Sequence, residues 1–205
     1  MEKKIINLFL YSNRLKFNEI EKNLKVRSNK LAYHLKRLVE KKILAKKEDY
    51  YLLSETAEYL IPYLSTKRAV LPVVLIHIGN KRGAFLYKRE KRPFKGLLSL
   101  PGGRLLIGES IEDATKRIMK EKFNLSVKLE KINSISLEHV KKSGKILHSF
   151  LLIFVSAETK DKIKLISINK NKKGIIPSDY KLIKNKLDSK MKIENLVTRV
   201  SLKPL

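Results

Sequence analysis

The sequence predicts a two-part chain, a small N-terminal α+β unit followed by a larger α/β unit. Three observations predict it. Apolar residues recur at helical spacing through roughly the first 40 positions. From Val70 onward they fall into runs of strand length. A glycine-rich passage followed by a helix then interrupts those runs. The 205 residues suffice for two small cores, and 43% hydrophobic against 32% charged residues supplies the apolar material to pack them.

Ile5, Ile6, Leu8, Phe9 and Leu10 recur at helical spacing after a charged start, and Ser12-Asn13 ends the pattern. A second, shorter helix is predicted from about Phe17 to Leu24, with Ile20 and Leu24 turned inward. Val26 begins the turn into a third helix, capped by Ser28 and running from Asn29 to about Lys42, with Leu31, Leu35 and Leu38 on one stripe. Lys30, Tyr33, His34, Lys36 and Arg37 fall off that stripe. Ile43-Leu44 and Tyr50 to Leu53 read as two short strands around a polar tip, Lys46-Lys47-Glu48-Asp49. Ser54 caps a fourth helix that ends near Leu60, because Pro62 disfavours its continuation.

Three helices, a two-stranded wing and a closing helix make a winged helix-turn-helix over residues 1–66. The segment SNKLAYHLKRLVEKKIL, from Ser28 to Leu44, resembles the recognition helix and the start of the wing in arsenic-repressor-like regulators. The resemblance implies fold and binding to double-stranded DNA. It does not extend to metal sensing, since the cysteines some members use are absent. A recognition helix offers its N-terminal half to base edges in the major groove while nearby cations bind phosphate. Ser28, Asn29, Lys30 and Tyr33 suit the first task, and Arg37, Lys46 and Lys47 the second; His34 suits packing as well as it suits DNA.

The polar segment Ser65-Thr66-Lys67-Arg68 marks a boundary, and a second domain is predicted over residues 69–205. Strands are expected at Val70 to Ile78 and, after an Asn80-Lys81-Arg82-Gly83 turn, at Ala84 to Lys88. A Pro- and Gly-rich passage from Pro93 to Gly108 leads into a helix from about Ile111 to Lys122. Strands at Ile132 to Glu138, Ile146 to Ser156 and about Lys164 to Ile168 follow, then a helix starting near Ser178. Strands flanking a glycine-rich loop and a helix place a ligand at the loop.

The segment LPGGRLLIGES, from Leu100 to Ser110, together with the helix after it resembles the Nudix box: Gly, five residues, Glu, seven residues, Arg-Glu, an apolar residue, any residue, Glu-Glu, any residue, Gly and an apolar residue. Gly103, Glu109, Arg117, Met119, Glu121 and Leu125 fall in register. The resemblance implies an α/β/α sandwich on a mixed sheet. It also implies helical carboxylates that bind Mg2+ or Mn2+, bridge a diphosphate and help activate water. Three positions depart. Asn124 for Gly is mild, because Asn tolerates the left-handed conformation of a helix end. Ile118 and Lys122 stand where two carboxylates belong, at i and i+4 of one helical face with Glu121 at i+3. Only Glu121 then remains as a weak metal ligand and, with Glu109 and Arg117, as the catalytic set of an active enzyme. Gly102, Gly103, Arg104 and Lys122 suit a phosphate instead, since an ammonium repels a metal and attracts an anion.

Composition narrows the field. No run nears the ~20 apolar residues of a membrane helix, and the charged start carries no leader pattern, so a cytoplasmic protein is expected. Zero cysteines exclude disulfides, thiolate zinc sites and thiol catalysis. A net charge of +26 favours polyanionic partners, although lysine-rich coding or a charge-rich thermophilic surface accounts for such an excess equally well. Residues 1–68 hold 16 basic and 8 acidic side chains against 30 and 12 in the remainder, so both parts are basic. Three functions fit. One is a homodimeric DNA-binding regulator whose second domain senses ADP-ribose, a dinucleotide or a nucleotide sugar. Another is a metal-dependent pyrophosphohydrolase that recruits a carboxylate outside the box, Glu138 or Glu158. The last is an RNA-binding protein using the basic α/β domain.

Overall fold

The computed structural model describes residues 1–57 and 69–197, and the chain divides into two compact units, Met1–Arg68 and Ala69–Leu205. The expected end of a fourth helix at Leu60 and the Ser65–Arg68 boundary lie outside the described residues.

In the N-terminal unit α1 (Glu2–Leu8), α2 (Phe17–Leu24) and α3 (Ser28–Glu40) precede the hairpin of β2 (Leu44–Lys47) and β3 (Tyr50–Leu53). A two-residue strand that the periodicity did not reveal, β1 (Leu15–Lys16), pairs with β3 and completes a sheet ordered β1-β3-β2. Ile5, Ile6 and Phe9 of α1, Ile20 of α2, and Leu31, Leu35 and Leu38 of α3 close one core with Leu15 and Leu44. Two local expectations are corrected. Ser28 is the first helical residue rather than the cap: Arg27 holds the cap position without a side-chain bond, and the Ser28 hydroxyl donates to Glu21 Oε1 of α2. Lys46 and Lys47 lie in β2, opposite Tyr51 and Tyr50, so the turn shrinks to Glu48-Asp49. Glu48 takes a left-handed φ of 53° there, as a two-residue hairpin turn requires. Ser54 donates to Lys42 O and leads into a short 3-10 turn at 55–57.

The C-terminal unit is built on a four-stranded mixed sheet. Its order is β8 (Gly102–Arg104), β4 (Leu71–His77), β10 (Lys145–Glu158) and β9 (Lys128–Lys142), with only the β4–β10 pair parallel. Two small pairs flank it, β5 (Gly83–Ala84) with β11 (Ile166–Ser167) and β6 (Tyr87–Lys88) with β7 (Leu98–Ser99). Alternation divides the central strands between two cores. Val74 and Ile76 of β4 and Ile153 and Val155 of β10 meet α4 (Ile111–Phe123) on one face. Leu75, Leu152 and Phe154 meet α5 (Pro177–Lys186) on the other. The result is a helix–sheet–helix sandwich.

One contact fixes α4 on the sheet. A Cβ at Gly103 would come within 2.8 Å of Ile118 Cγ1, and one at Gly102 within 2.7 Å of Leu75 Cδ2. The two glycines therefore let β8 lie flush on both layers. Ile118 fills the space beside Gly103 and is fully buried. Positions 118, 121 and 122 share one helical face by spacing, but the sheet covers only part of it: Ile118 belongs to the core, whereas Glu121 and Lys122 are exposed.

Gly103→Ala is expected to destabilise the C-terminal unit by about 1–3 kcal/mol through overpacking, and Ile118→Val by about 0.5–1.5 kcal/mol. Ile118→Glu, which puts a carboxylate into an apolar layer, is expected to cost more than either. Urea denaturation of the three variants checks the order, and a harmless Ile118→Glu would contradict the packing.

Candidate functional site

The candidate site lies where β8, the loop after it and α4 meet. Ser110 starts α4 with a capping box: Asp113 N donates to Ser110 Oγ at 3.1 Å, and Ser110 N to Asp113 Oδ2 at 3.2 Å. Asn124 ends it in the left-handed conformation, φ 53°. Between these ends two side chains of the last two turns, Arg117 and Lys122, reach β8 carbonyls, those of Arg104 and Gly102.

Arg117 is the centre of the arrangement. Its Nε donates to Glu109 Oε1, and its Nη2 donates to Glu109 Oε2 at 2.9 Å and to the Arg104 carbonyl at 3.0 Å. Nη1 reaches Glu121 Oε2 at 3.3 Å. Glu109 Oε2 also accepts from Leu106 N at 2.9 Å. One guanidinium therefore ties strand end, loop and helix together through a fork that matches a carboxylate. The Arg117 hydrogen bond holds the Glu109 carboxyl below its ordinary pKa despite partial desolvation, and the same bond raises Arg117. The pair is ionised throughout the neutral range. A lowered carboxyl contributes stability above its unfolded pKa and loses it as pH falls through the folded one.

Lys122, one residue beyond Glu121, donates its ammonium to the Gly102 carbonyl. Desolvation and then the charges of Arg89, Lys91 and Arg117 hold its pKa below the usual lysine value. Gly102, Gly103, Glu109, Arg117, Glu121 and Lys122 thus come together as one site. The Arg104 backbone joins them, while its side chain is exposed. A divalent cation fits this donor set poorly. Hard cations need several oxygen ligands, but Glu109 is spent on Arg117, Glu121 faces the same guanidinium, and Lys122 already occupies the Gly102 carbonyl. Among the described residues no three His, Cys, Asp or Glu side chains gather as a metal site. Glu158 lies 3.8 Å from Lys128 Nζ. Glu138 lines a cavity of about 440 Å³ between β9 and α5 with Ser136, Ser178, Lys181 and Leu182.

Asp179 was not legible in the sequence. An acid in the first turn of a helix ordinarily reads as an exposed dipole partner, yet this one is buried. Its Oδ2 accepts from Leu100 N at 2.8 Å and Ser99 Oγ at 3.0 Å, pinning the chain two residues before Gly102. Burial pushes its pKa up to about 7, with the two hydrogen bonds opposing, Glu138 adding to the rise and Arg89 opposing it.

In the N-terminal unit Asn29, Lys30, Tyr33, Lys46 and Lys47 are exposed. Ser28 is engaged by Glu21. Arg37 is less free than its position suggests: Nε lies 3.5 Å from Glu2 Oε1, and its guanidinium stacks over Tyr33 at 5.7 Å. His34 is mostly enclosed, 3.9 Å from the same Glu2, and Lys41 completes the cluster at 2.8 Å.

The family model described as NUDIX domain matches residues 68–172. An ADP-ribose pyrophosphatase of Methanocaldococcus jannaschii is 40% identical over 58 residues, which cover 28% of this chain and 33% of that protein. The match thus spans about a third of that relative's length. Among solved structures, a NUDIX hydrolase from Nitrosomonas europaea is 19% identical with a TM-score of 0.49, covering 57% of this chain and 87% of its own. The NUDIX domain of Shewanella oneidensis NrtR, solved in complex with ADP ribose, is 19% identical with a TM-score of 0.46, covering 64% and 96%. No helix among the described residues is long and apolar enough to cross a membrane.

A raised Asp179 favours the folded state below its unfolded pKa, and that contribution is lost as pH rises through about 7. Asp179→Asn keeps an acceptor for Leu100 N without the buried charge. Its thermal midpoint relative to the wild type is therefore expected to rise between about pH 4 and 7 and to level off above that. A difference independent of pH would contradict this.

Proposed function

This chain belongs to the Nudix family, and we propose that it is a DNA-binding transcription regulator whose Nudix domain binds a diphosphate-containing metabolite and does not cleave it efficiently. One observation carries the second half of this reading. The brace of Glu109 and Arg117, which shapes the site, is intact, whereas two of the three helix positions that would supply carboxylates hold Ile118 in the core and Lys122 on the Gly102 carbonyl. Shape without a metal-ligand set serves recognition better than hydrolysis. The 58-residue likeness to an ADP-ribose pyrophosphatase makes ADP-ribose the first ligand to try; dinucleotides and nucleotide sugars share its diphosphate.

The first half rests on the N-terminal unit, which we read as a winged helix: three helices, then a hairpin whose strand carries Lys46 and Lys47. Asn29, Lys30 and Tyr33 form the exposed N-terminal half of α3, the part of a recognition helix that reaches base edges. Arg37 supports the helix through Tyr33 and Glu2 more than it serves phosphate. Two half-sites read by a homodimer are the ordinary use of such a unit, in a cytoplasm whose reducing conditions suit a chain with no cysteine.

Duplex binding measured by fluorescence anisotropy is expected to weaken steeply with salt, because each neutralised phosphate releases counterions. Lys30→Ala with Lys47→Ala is expected to lower affinity and to flatten the salt slope by about one for each phosphate no longer neutralised. ADP-ribose is expected to shift the DNA affinity of the full chain. Duplex binding unchanged in the double variant, or none at about 50 mM salt, would overturn the regulator reading.

A further inference from the structure

We infer that the Lys122 ammonium stands in the place of the divalent cation, so that the domain takes its diphosphate in the metal-free form. This rests on the diphosphate-binding reading above and specifies the ionic state of the ligand at that same site.

The Gly102 carbonyl is a fixed acceptor. Gly102 pairs with Leu75 in the sheet and is pressed so closely on Leu75 and Val74 that no Cβ fits, so its oxygen does not swing away from the end of α4. Backbone carbonyls and carboxylates are the oxygens a hard cation would collect. Here the carbonyl receives an ammonium, and the adjacent carboxylate, Glu121, is drawn to Arg117 at 3.3 Å.

Further positive charge converges on the same point. Tyr87 of β6 packs edge-on against Phe123 with ring centres 5.2 Å apart, which brings the chain after β6 beside the last turn of α4. That chain is itself fixed: Arg89 N donates to Leu97 O at 2.8 Å, and Arg89 Nε donates to Pro93 O at 2.7 Å and Lys91 O at 3.1 Å. Arg89, Lys91 and Arg117 all act on Lys122 electrostatically, opposed by Glu121. Since Glu109 is neutralised by Arg117, the site has an excess of cations that a diphosphate, with its two or three negative charges, would balance. A divalent cation would have to displace an ammonium from Gly102 and settle near Arg89 and Lys91, with Arg117 already paired to Glu109. The protein thus supplies from its own chain the charge that a metal would otherwise bring to the phosphates. The same diphosphate complexed with magnesium arrives already neutralised and competes with Lys122 for the same space.

Isothermal titration calorimetry of the full chain with inorganic pyrophosphate tests this, once in EDTA and once with magnesium in excess. Binding is expected in EDTA and on the order of tenfold weaker with magnesium. In EDTA, Lys122→Met is expected to lose roughly ten- to a hundredfold in affinity, as for the removal of a charge-assisted hydrogen bond. Lys122→Arg, which keeps the cation, stays within a few-fold and shows that the fold tolerates change at this position. Lys122→Glu is expected to invert the pattern and bind pyrophosphate better with magnesium. Binding by the wild type that requires magnesium would overturn the inference while leaving the diphosphate reading standing. Affinity in EDTA indifferent to Lys122→Met would do the same. Binding in neither buffer would overturn both.

Discussion

The arrangement of the candidate site depends on a single guanidinium. Arg117 gives two hydrogen bonds to Glu109, one to the Arg104 carbonyl and a longer one to Glu121. It therefore ties the end of β8 and the loop after it to α4. The pair is partly shielded, with side chains 25% and 16% exposed for Arg117 and Glu109. Its bidentate geometry places it above the ordinary surface ion pair in strength. Asp179 holds the other end of the same segment through Leu100 N. Between these two anchors the Gly102 and Gly103 carbonyls have little freedom, and a site pre-shaped in this way loses little entropy on binding.

What changed at the site is a conversion more than a deletion. Ile118 fills a space that Gly103 leaves open, so the helix gains packing at a position where the family pattern places a charged ligand. Lys122 has made the opposite exchange, with a positive group among acceptors that suit a cation. Both substitutions preserve the attachment of α4 to β8. Both also put a side chain that is no oxygen ligand where the family pattern has a helical carboxylate, without disturbing the fold.

Periodicity made the helices and long strands legible because each buries one face: α2 was readable to its ends at Phe17 and Leu24, and the glycine, glutamate and arginine spacing located the loop and helix of the site. The remainder depended on tertiary packing. β1 is two residues long and exists because β3 offers it an edge. Ser28 had the right chemistry for a cap but found Glu21 instead. Helical spacing put residues 118, 121 and 122 on one side, yet it could not tell which part of that side the sheet would cover. The partner of Lys122 lies 20 residues away and is a backbone oxygen, which leaves no trace in side-chain pattern. Asp179 is reached from Leu100 across 79 residues, and only the packing of α5 on the sheet reveals it.

Whether this site recognises a diphosphate without turning it over is tested most directly by phosphorus NMR of ADP-ribose mixed with equimolar full chain and then with magnesium. Diphosphate resonances are expected to shift or broaden when the chain is added in EDTA and, once magnesium follows, to persist with no monophosphate signal growing in over hours. Rapid appearance of monophosphate products, abolished by Glu121→Gln, would contradict this and establish metal-dependent hydrolysis instead.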